Sequence, residues 1–115
     1  MVGIASALVP LIALPFAMAQ TPQVTIYRDI YYQGESVDIP ADGGCHDLAG
    51  YQPNLERQVS SIQIPLGFQC ILYPIICLGG VIDVDGVTVD APGTNSLYNY
   101  QFNDATVSIA CYPAS

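Results

Sequence analysis

His46 is the single histidine of the chain and stands between Cys45 and Asp47. A hydrolytic triad needs an imidazole oriented between a nucleophile and an acid. His46 instead adjoins a cysteine whose expected role is structural, so it reads as a structural histidine. Asp83 and Asp85 are two apart, and on a strand they share a face. Paired carboxylates could serve glycoside hydrolysis, but this pair runs into Asp85-Gly86, a turn signal, and reads as a solvated strand end. The same residues fail as an EF-hand loop, because Thr94 stands where the closing Glu is required. The chain is therefore not expected to be an enzyme.

The four cysteines, Cys45, Cys70, Cys77 and Cys111, have no CxxC spacing, which argues against zinc. An even count in a secreted chain reads as two disulfides, and four cysteines allow three pairings. Secretion is expected from the N-terminus. Val2 to Ala19 is almost wholly apolar and ends in Ala17-Met18-Ala19, a small-x-small cleavage pattern. Pro10 and Pro15 interrupt the run, which disfavours a membrane span. The expected leader is thus residues 1–19, cut between Ala19 and Gln20, with a single domain over residues 20–115 and no membrane span after cleavage.

Arg28 and Arg57 are the only basic side chains of the 115 residues, and the net charge is -8. Such a surface repels phosphate backbones and anionic lipid heads, so nucleic acid is excluded as a partner. Eight tyrosines and many Ile and Val residues argue for a packed core rather than acidic disorder.

These residues must be positioned by strands. Gln23–Tyr27 and Glu35–Pro40 alternate apolar and polar residues, with Val24, Ile26, Val37 and Ile39 inward. Further strands are expected at Cys45–Leu48, Gln58–Ile64, Phe68–Tyr73, Gly80–Asp85, Leu97–Phe102 and Thr106–Cys111. Ala49–Glu56 and the Pro-, Gly- and Asn-rich stretch Asp90–Asn95 read as loops. The order repeats: Tyr27 to Tyr73 and Gly34 to Gly80 are both 46 positions, and Ser61 to Ser108 is 47. Motif one spans 23–64 and motif two 68–112. Eight strands with regular turn signals predict an all-β, two-sheet Greek-key sandwich.

Tyr-x4-Tyr-x-Gly-x-Ser at Tyr27, Tyr32, Gly34 and Ser36 resembles the Greek-key motif of the βγ-crystallins, as do His46-Asp47-Leu48 and the closing Ser60-Ser61-Ile62. Gly67 to Tyr73 resembles the start of a second motif. That motif departs from the pattern, with Leu78 replacing the second aromatic and Ile82 the motif serine. The resemblance implies a folded hairpin in which Tyr27 packs on Tyr32, Gly34 takes φ > 0 and Ser61 bonds the hairpin. Tyr73, Gly80 and Ser108 are the counterparts, with Cys77 as a tether. It also makes Cys70 and Cys111 neighbours, favouring Cys70–Cys111 with Cys45–Cys77.

Many microbial relatives in that family bind calcium through Asn/Asp-Asn/Asp-x-x-Ser/Thr-Ser, one copy per motif, with each site drawing oxygens from both. Here the copies are Glu56-Arg57-Gln58-Val59-Ser60-Ser61 and Asn103-Asp104-Ala105-Thr106-Val107-Ser108. The first keeps Ser60 but carries Arg57 in place of an acid. The second keeps Asn103 and Asp104 but carries Val107 in place of a hydroxyl. The resemblance implies at most one weak calcium site, from Asp104, Asn103 and Ser60, opposed by Arg57, with no other cofactor. Val107→Thr and Arg57→Asp are each expected to tighten it. Small secreted relatives resembling killer toxins or antifungal proteins imply an extracellular binding or defence module. Its partner would be a cell-wall glycan, stacked on tyrosines, or a protein.

Overall fold

The computed structural model describes residues 21–78 and 86–114. The expected leader, Gly80, Ile82, the Gly80–Asp85 strand and the Asp83–Asp85 pair lie outside these residues. Eight strands are described: β1 Gln23–Asp29, β2 Gln33–Pro40, β3 Cys45–Asp47, β4 Ser61–Gln63, β5 Phe68–Tyr73, β6 Val87–Asp90, β7 Gly93–Thr94 and β8 Ser108–Pro113. They form two antiparallel four-stranded sheets, ordered β2-β1-β4-β7 and β3-β8-β5-β6. Each sheet therefore holds three strands of one motif and the third strand of the other. This exchange ties the halves into one sandwich.

Alternation in β1 and β2 meets across the ladder. Val24 lies opposite Ile39 and Ile26 opposite Val37, and Ile62 of β4 flanks Ile26 on the other side. The second sheet contributes Cys70, Leu72, Val89, Ile109 and Cys111 from facing positions. All of these are buried, and with Leu48, Leu55, Val59 and Leu97 they form the core. Each such side chain contributes roughly 1.5–3 kcal/mol on burial.

The folded hairpin between β1 and β2 depends on its backbone. Tyr31 and Tyr32 sit at φ 58 and 60 in the left-handed region, and Gly34 at φ 81. A Cβ on Gly34 would meet Asp29 Oδ2 at 2.6 Å. The Tyr27 and Tyr32 rings pack edge to face with centroids 5.7 Å apart. The Ser61 hydroxyl donates to the Asp29 carbonyl at 2.6 Å and accepts the Tyr32 N–H at 3.0 Å. In motif two the Ser108 hydroxyl donates to the Ile75 carbonyl at 2.7 Å. The Cys77 N–H donates to Asp47 Oδ1 at 2.7 Å, and the Cys45–Cys77 disulfide ties the same hairpin to β3. The second disulfide joins Cys70 of β5 to Cys111 of β8, opposite each other in register.

Three strand assignments differ from the sequence reading. The third strand of motif two is Gly93–Thr94, not Leu97–Phe102, and Leu97–Tyr100 is a 3-10 turn. Its counterpart in motif one is the turn at Leu48–Gly50, which follows β3, so the two leucines mark the ends of the third strands. The Leu97 N–H goes to the Ser60 carbonyl and the Leu48 N–H to the Val107 carbonyl, contacts between motifs rather than ladder bonds. The fourth strands are shorter or shifted for the same reason: Gln58–Ser60 lies outside β4, and β8 begins at Ser108. Among the described residues, the strand that pairs with β5 on its other side is Val87–Asp90.

Thr106 and Val59 occupy equivalent positions in the two copies, and both are buried. The Thr106 hydroxyl is buried without a hydrogen-bond partner among the described residues. An unmet buried hydroxyl costs stability, whereas Val has nearly the same shape. Thr106→Val is expected to raise the melting temperature by a few degrees, about 1 kcal/mol. A lower melting temperature would mean that the hydroxyl has a partner.

Candidate functional site

A cleft of about 490 Å³ opens where the motifs meet, lined by Arg28, Asp29, Ile30, Gln58, Ser60, Tyr98, Asn103 and Asp104. The backbone fixes its walls. The Ser60 N–H donates to the Tyr27 carbonyl at 2.9 Å, and the Ser60 carbonyl accepts the Leu97 N–H at 2.8 Å. Asp104, in the left-handed region at φ 58, donates its N–H to the Val59 carbonyl at 3.0 Å. Asp and Asn tolerate that conformation better than most residues. Ser60 and Asp104 are thereby brought face to face, the hydroxyl 3.5 Å from Asp104 Oδ1. Ser60 is buried, while Asp104 reaches solvent. Asn103 Oδ1 is buried and has no hydrogen-bond partner among the described residues.

The repeat predicts a twin, and neither the acid nor the hydroxyl is kept there. The Arg57 N–H, from a left-handed residue at φ 59, donates to the Thr106 carbonyl at 2.8 Å, and the Val107 N–H donates to the Tyr73 carbonyl at 2.8 Å. These match the Asp104 and Ser60 contacts one for one. The twin position therefore pairs Arg57 with Val107, while the cleft keeps both Asp104 and Ser60. This corrects the expectation that Arg57 opposes an ion at the surviving site. Arg57 is not among the cleft residues, and its guanidinium pairs with Glu56 at 2.8 Å. The basic residue at the cleft is Arg28, paired with Glu35 at 2.8 Å. Val107→Thr and Arg57→Asp fall on this twin position rather than on the cleft.

Nothing in the sequence pointed to Tyr98 or Asp29 as lining residues. Tyr98 is 65% exposed and Tyr31 61%, and the other six tyrosines are half-buried. Tyr31 follows Ile30 of the cleft wall, and its N–H donates to the Asn95 carbonyl at 2.8 Å.

His46 lies elsewhere, in a chain of its own. Its Nε2 is 2.9 Å from Asp42 Oδ1, and its Nδ1 is 3.0 Å from the Tyr51 hydroxyl. An ionised carboxylate only accepts, so Nε2 carries the proton and, in neutral imidazole, Nδ1 accepts from Tyr51. The hydrogen bond from His46, aided by the Gly44 N–H, holds the Asp42 carboxyl below the usual range. Burial, then the Asp42 charge, pushes the Tyr51 phenol up. A phenol that resists ionisation is the opposite of an activated nucleophile, so the chain reads as a loop clamp.

Among the described residues, no three His, Cys, Asp or Glu side chains are grouped as a metal cluster would need. An ion in the cleft would have to rely on Asp104 with hydroxyl, amide and backbone oxygens. No helix among them is long and apolar enough to cross a membrane.

No family profile matches the sequence, and no curated protein matches it significantly. Solved structures do match the fold. A βγ-crystallin domain from Flavobacterium johnsoniae is 28% identical with a TM-score of 0.64, covering 80% of this chain and 96% of that one. A βγ-crystallin domain from Clostridium beijerinckii is 25% identical, with a TM-score of 0.59 and coverage of 78% and 97%. The N-terminal domain of protein S is 23% identical, with a TM-score of 0.62 and coverage of 80% and 97%.

Proposed function

We infer that this chain, a βγ-crystallin domain by fold, is an extracellular binding module whose cleft takes one calcium ion weakly. The observation that carries the reading is the convergence of Ser60 from one motif and Asp104 from the other on a cleft that also holds the unpartnered Asn103 Oδ1. Hard cations take such oxygens. Ser60, Asn103 and Asp104 would hold the ion, and its charge would cross-link the two motifs. Few side-chain ligands mean an affinity in the weak extracellular range, ~10⁻⁴–10⁻³ M. The two disulfides fit an oxidising compartment. Leader cleavage after Ala19 belongs to the same reading.

Calcium at about 1 mM should add roughly 0.4–1.4 kcal/mol, a melting shift of a few degrees. Asp104→Asn should abolish the shift, and Val107→Thr should leave it unchanged. A shift that persists in Asp104→Asn, or a micromolar constant by titration calorimetry, would overturn the reading.

The alternative is a wall-glycan or defence module, favoured by the exposed rings of Tyr31 and Tyr98 near one cleft. Retention on insoluble wall polysaccharide, lost in a Tyr31→Ala, Tyr98→Ala double variant, is its test.

A further inference from the structure

We propose that the cleft also docks a cationic side chain, an arginine or lysine of a basic peptide or protein, laid on Tyr98 and paired with Asp104 and Asp29. The chain has ten carboxylate residues against two arginines. Both arginines are already paired, Arg28 with Glu35 and Arg57 with Glu56. His46 is taken by Asp42. Arg28 lines the cleft but is held by Glu35, and the chain has no other basic side chain to face Asp29 and Asp104, so a further counter-charge at the cleft comes from outside.

The aromatic wall then says what kind of cation. A ring contributes nothing to a metal ion bound by oxygens, yet Tyr98 lines this cleft while 65% exposed. Guanidinium and ammonium groups stack on such faces. Ile30, half-buried beside it, offers apolar surface for the methylene stem of a long side chain. A net charge of -8 draws basic partners in and keeps anionic ones out. A neutral glycan would use the rings but gains little from the carboxylates. The site is the one read above for calcium, but the docking does not require the ion. Calcium and the side chain compete for Asp104.

The test is a fluorescence-anisotropy titration of the full chain with a labelled nona-arginine peptide at low salt. A nona-glutamine peptide and a neutral β-glucan hexasaccharide serve as comparison probes. The arginine peptide should bind, and neither neutral probe should. Asp104→Asn and Tyr98→Ala should each weaken binding by about tenfold. Asp38→Asn removes one charge on β2, from a carboxylate bonded to Thr25, and should change binding less than about twofold. Tyr98→Ala should leave any calcium melting shift intact, so failure of calcium binding and failure of peptide docking are read separately. Calcium should displace the peptide from the unaltered chain if the ion binds. Equal losses in Asp38→Asn and Asp104→Asn would mean unspecific charge attraction and overturn the proposal. So would full binding by Tyr98→Ala, or binding of the hexasaccharide in place of the peptide. Melting curves of each variant confirm that the probe meets a folded chain.

Discussion

Gly93→Ala is expected to leave the chain unfolded or nearly so at room temperature. Gly93 lies in the two-residue strand β7 at φ 107, opposite Gln63 of β4. A Cβ there would fall on the Ile62 carbonyl oxygen, with the Ile62 carbonyl carbon at 2.9 Å and the Gln63 Cα at 3.1 Å. These neighbours are backbone atoms of a central strand, so no flexible side chain can give way. Either β7 leaves β4, or β4 leaves β1. Strain at such a φ costs about 1–3 kcal/mol, and loss of the pairing raises the total beyond about 4 kcal/mol, among the largest single-residue effects. Small domains have roughly 5–10 kcal/mol in all. Gly43→Ala is the control. Gly43 has φ 86 but nothing within 4 Å of its Cβ, so it isolates the strain and should cost about 1–2 kcal/mol. Urea unfolding of both variants decides. A Gly93→Ala variant as stable as Gly43→Ala would mean that β7 is dispensable.

That glycine was invisible in the sequence because the signal is long-range. β1 and β2 were legible because Val24, Ile26, Val37 and Ile39 alternate over several residues, and alternation is a local consequence of the pleat. Two residues have no period. Gly93-Thr94 sits in a run of Pro, Gly and Asn, and only its pairing with Ile62 and Gln63 of β4, far earlier in the chain, makes it a strand. The left-handed residues were hidden in the same way. Tyr31, Tyr32, Arg57 and Asp104 take φ > 0 without being Gly or Asn, and what holds them there is hydrogen bonding to the other motif or to the folded hairpin.

The cleft was legible in part. Subtracting the repeats matched Ser60 to Val107 and Arg57 to Asp104 in two damaged copies. Which copy's residues meet in space depends on the crossing of Arg57–Ser60 against Asp104–Val107, and that crossing is tertiary. Reading each copy alone made the damage look shared, with Arg57 a threat to both sites. The crossing instead confines Arg57 and Val107 to one position and leaves Ser60 with Asp104 in the other. Tyr98 was hidden by residue type. A tyrosine beside Leu97 in an expected strand reads as core, and only the tight turn at Leu97–Tyr100 buries Leu97 while turning Tyr98 outward.

Cys70→Ala with Cys111→Ala is expected to lower the melting temperature by about 20 °C or more. The bond closes a separation of 41 residues, for which restriction of the unfolded chain contributes about 4 kcal/mol. Cys45–Cys77 closes 32 residues, and the same reasoning gives nearly the same figure, so loop size does not separate the two. Location does. Cys70 and Cys111 are both 0% exposed, packed among Leu72, Val89 and Ile109, and deleting their sulfurs leaves a core cavity whose cost adds to the entropy. Cys45 lies at the surface, and Cys45→Ser with Cys77→Ser exposes hydroxyls to water. The hairpin it tethers also keeps the Asp47 bond to Cys77 N–H and the Ser108 bond to the Ile75 carbonyl. The same contrast orders reduction of the unaltered protein. Thiolate exchange needs access to a sulfur, so dilute dithiothreitol under native conditions should open Cys45–Cys77 first. Alkylation followed by peptide mass mapping should find Cys45 and Cys77 modified while Cys70 and Cys111 stay bonded until the chain unfolds. Labelling of all four cysteines at one rate in the folded protein would mean that the second sheet opens as readily as the surface hairpin, and the predicted difference between the double variants would fall with it.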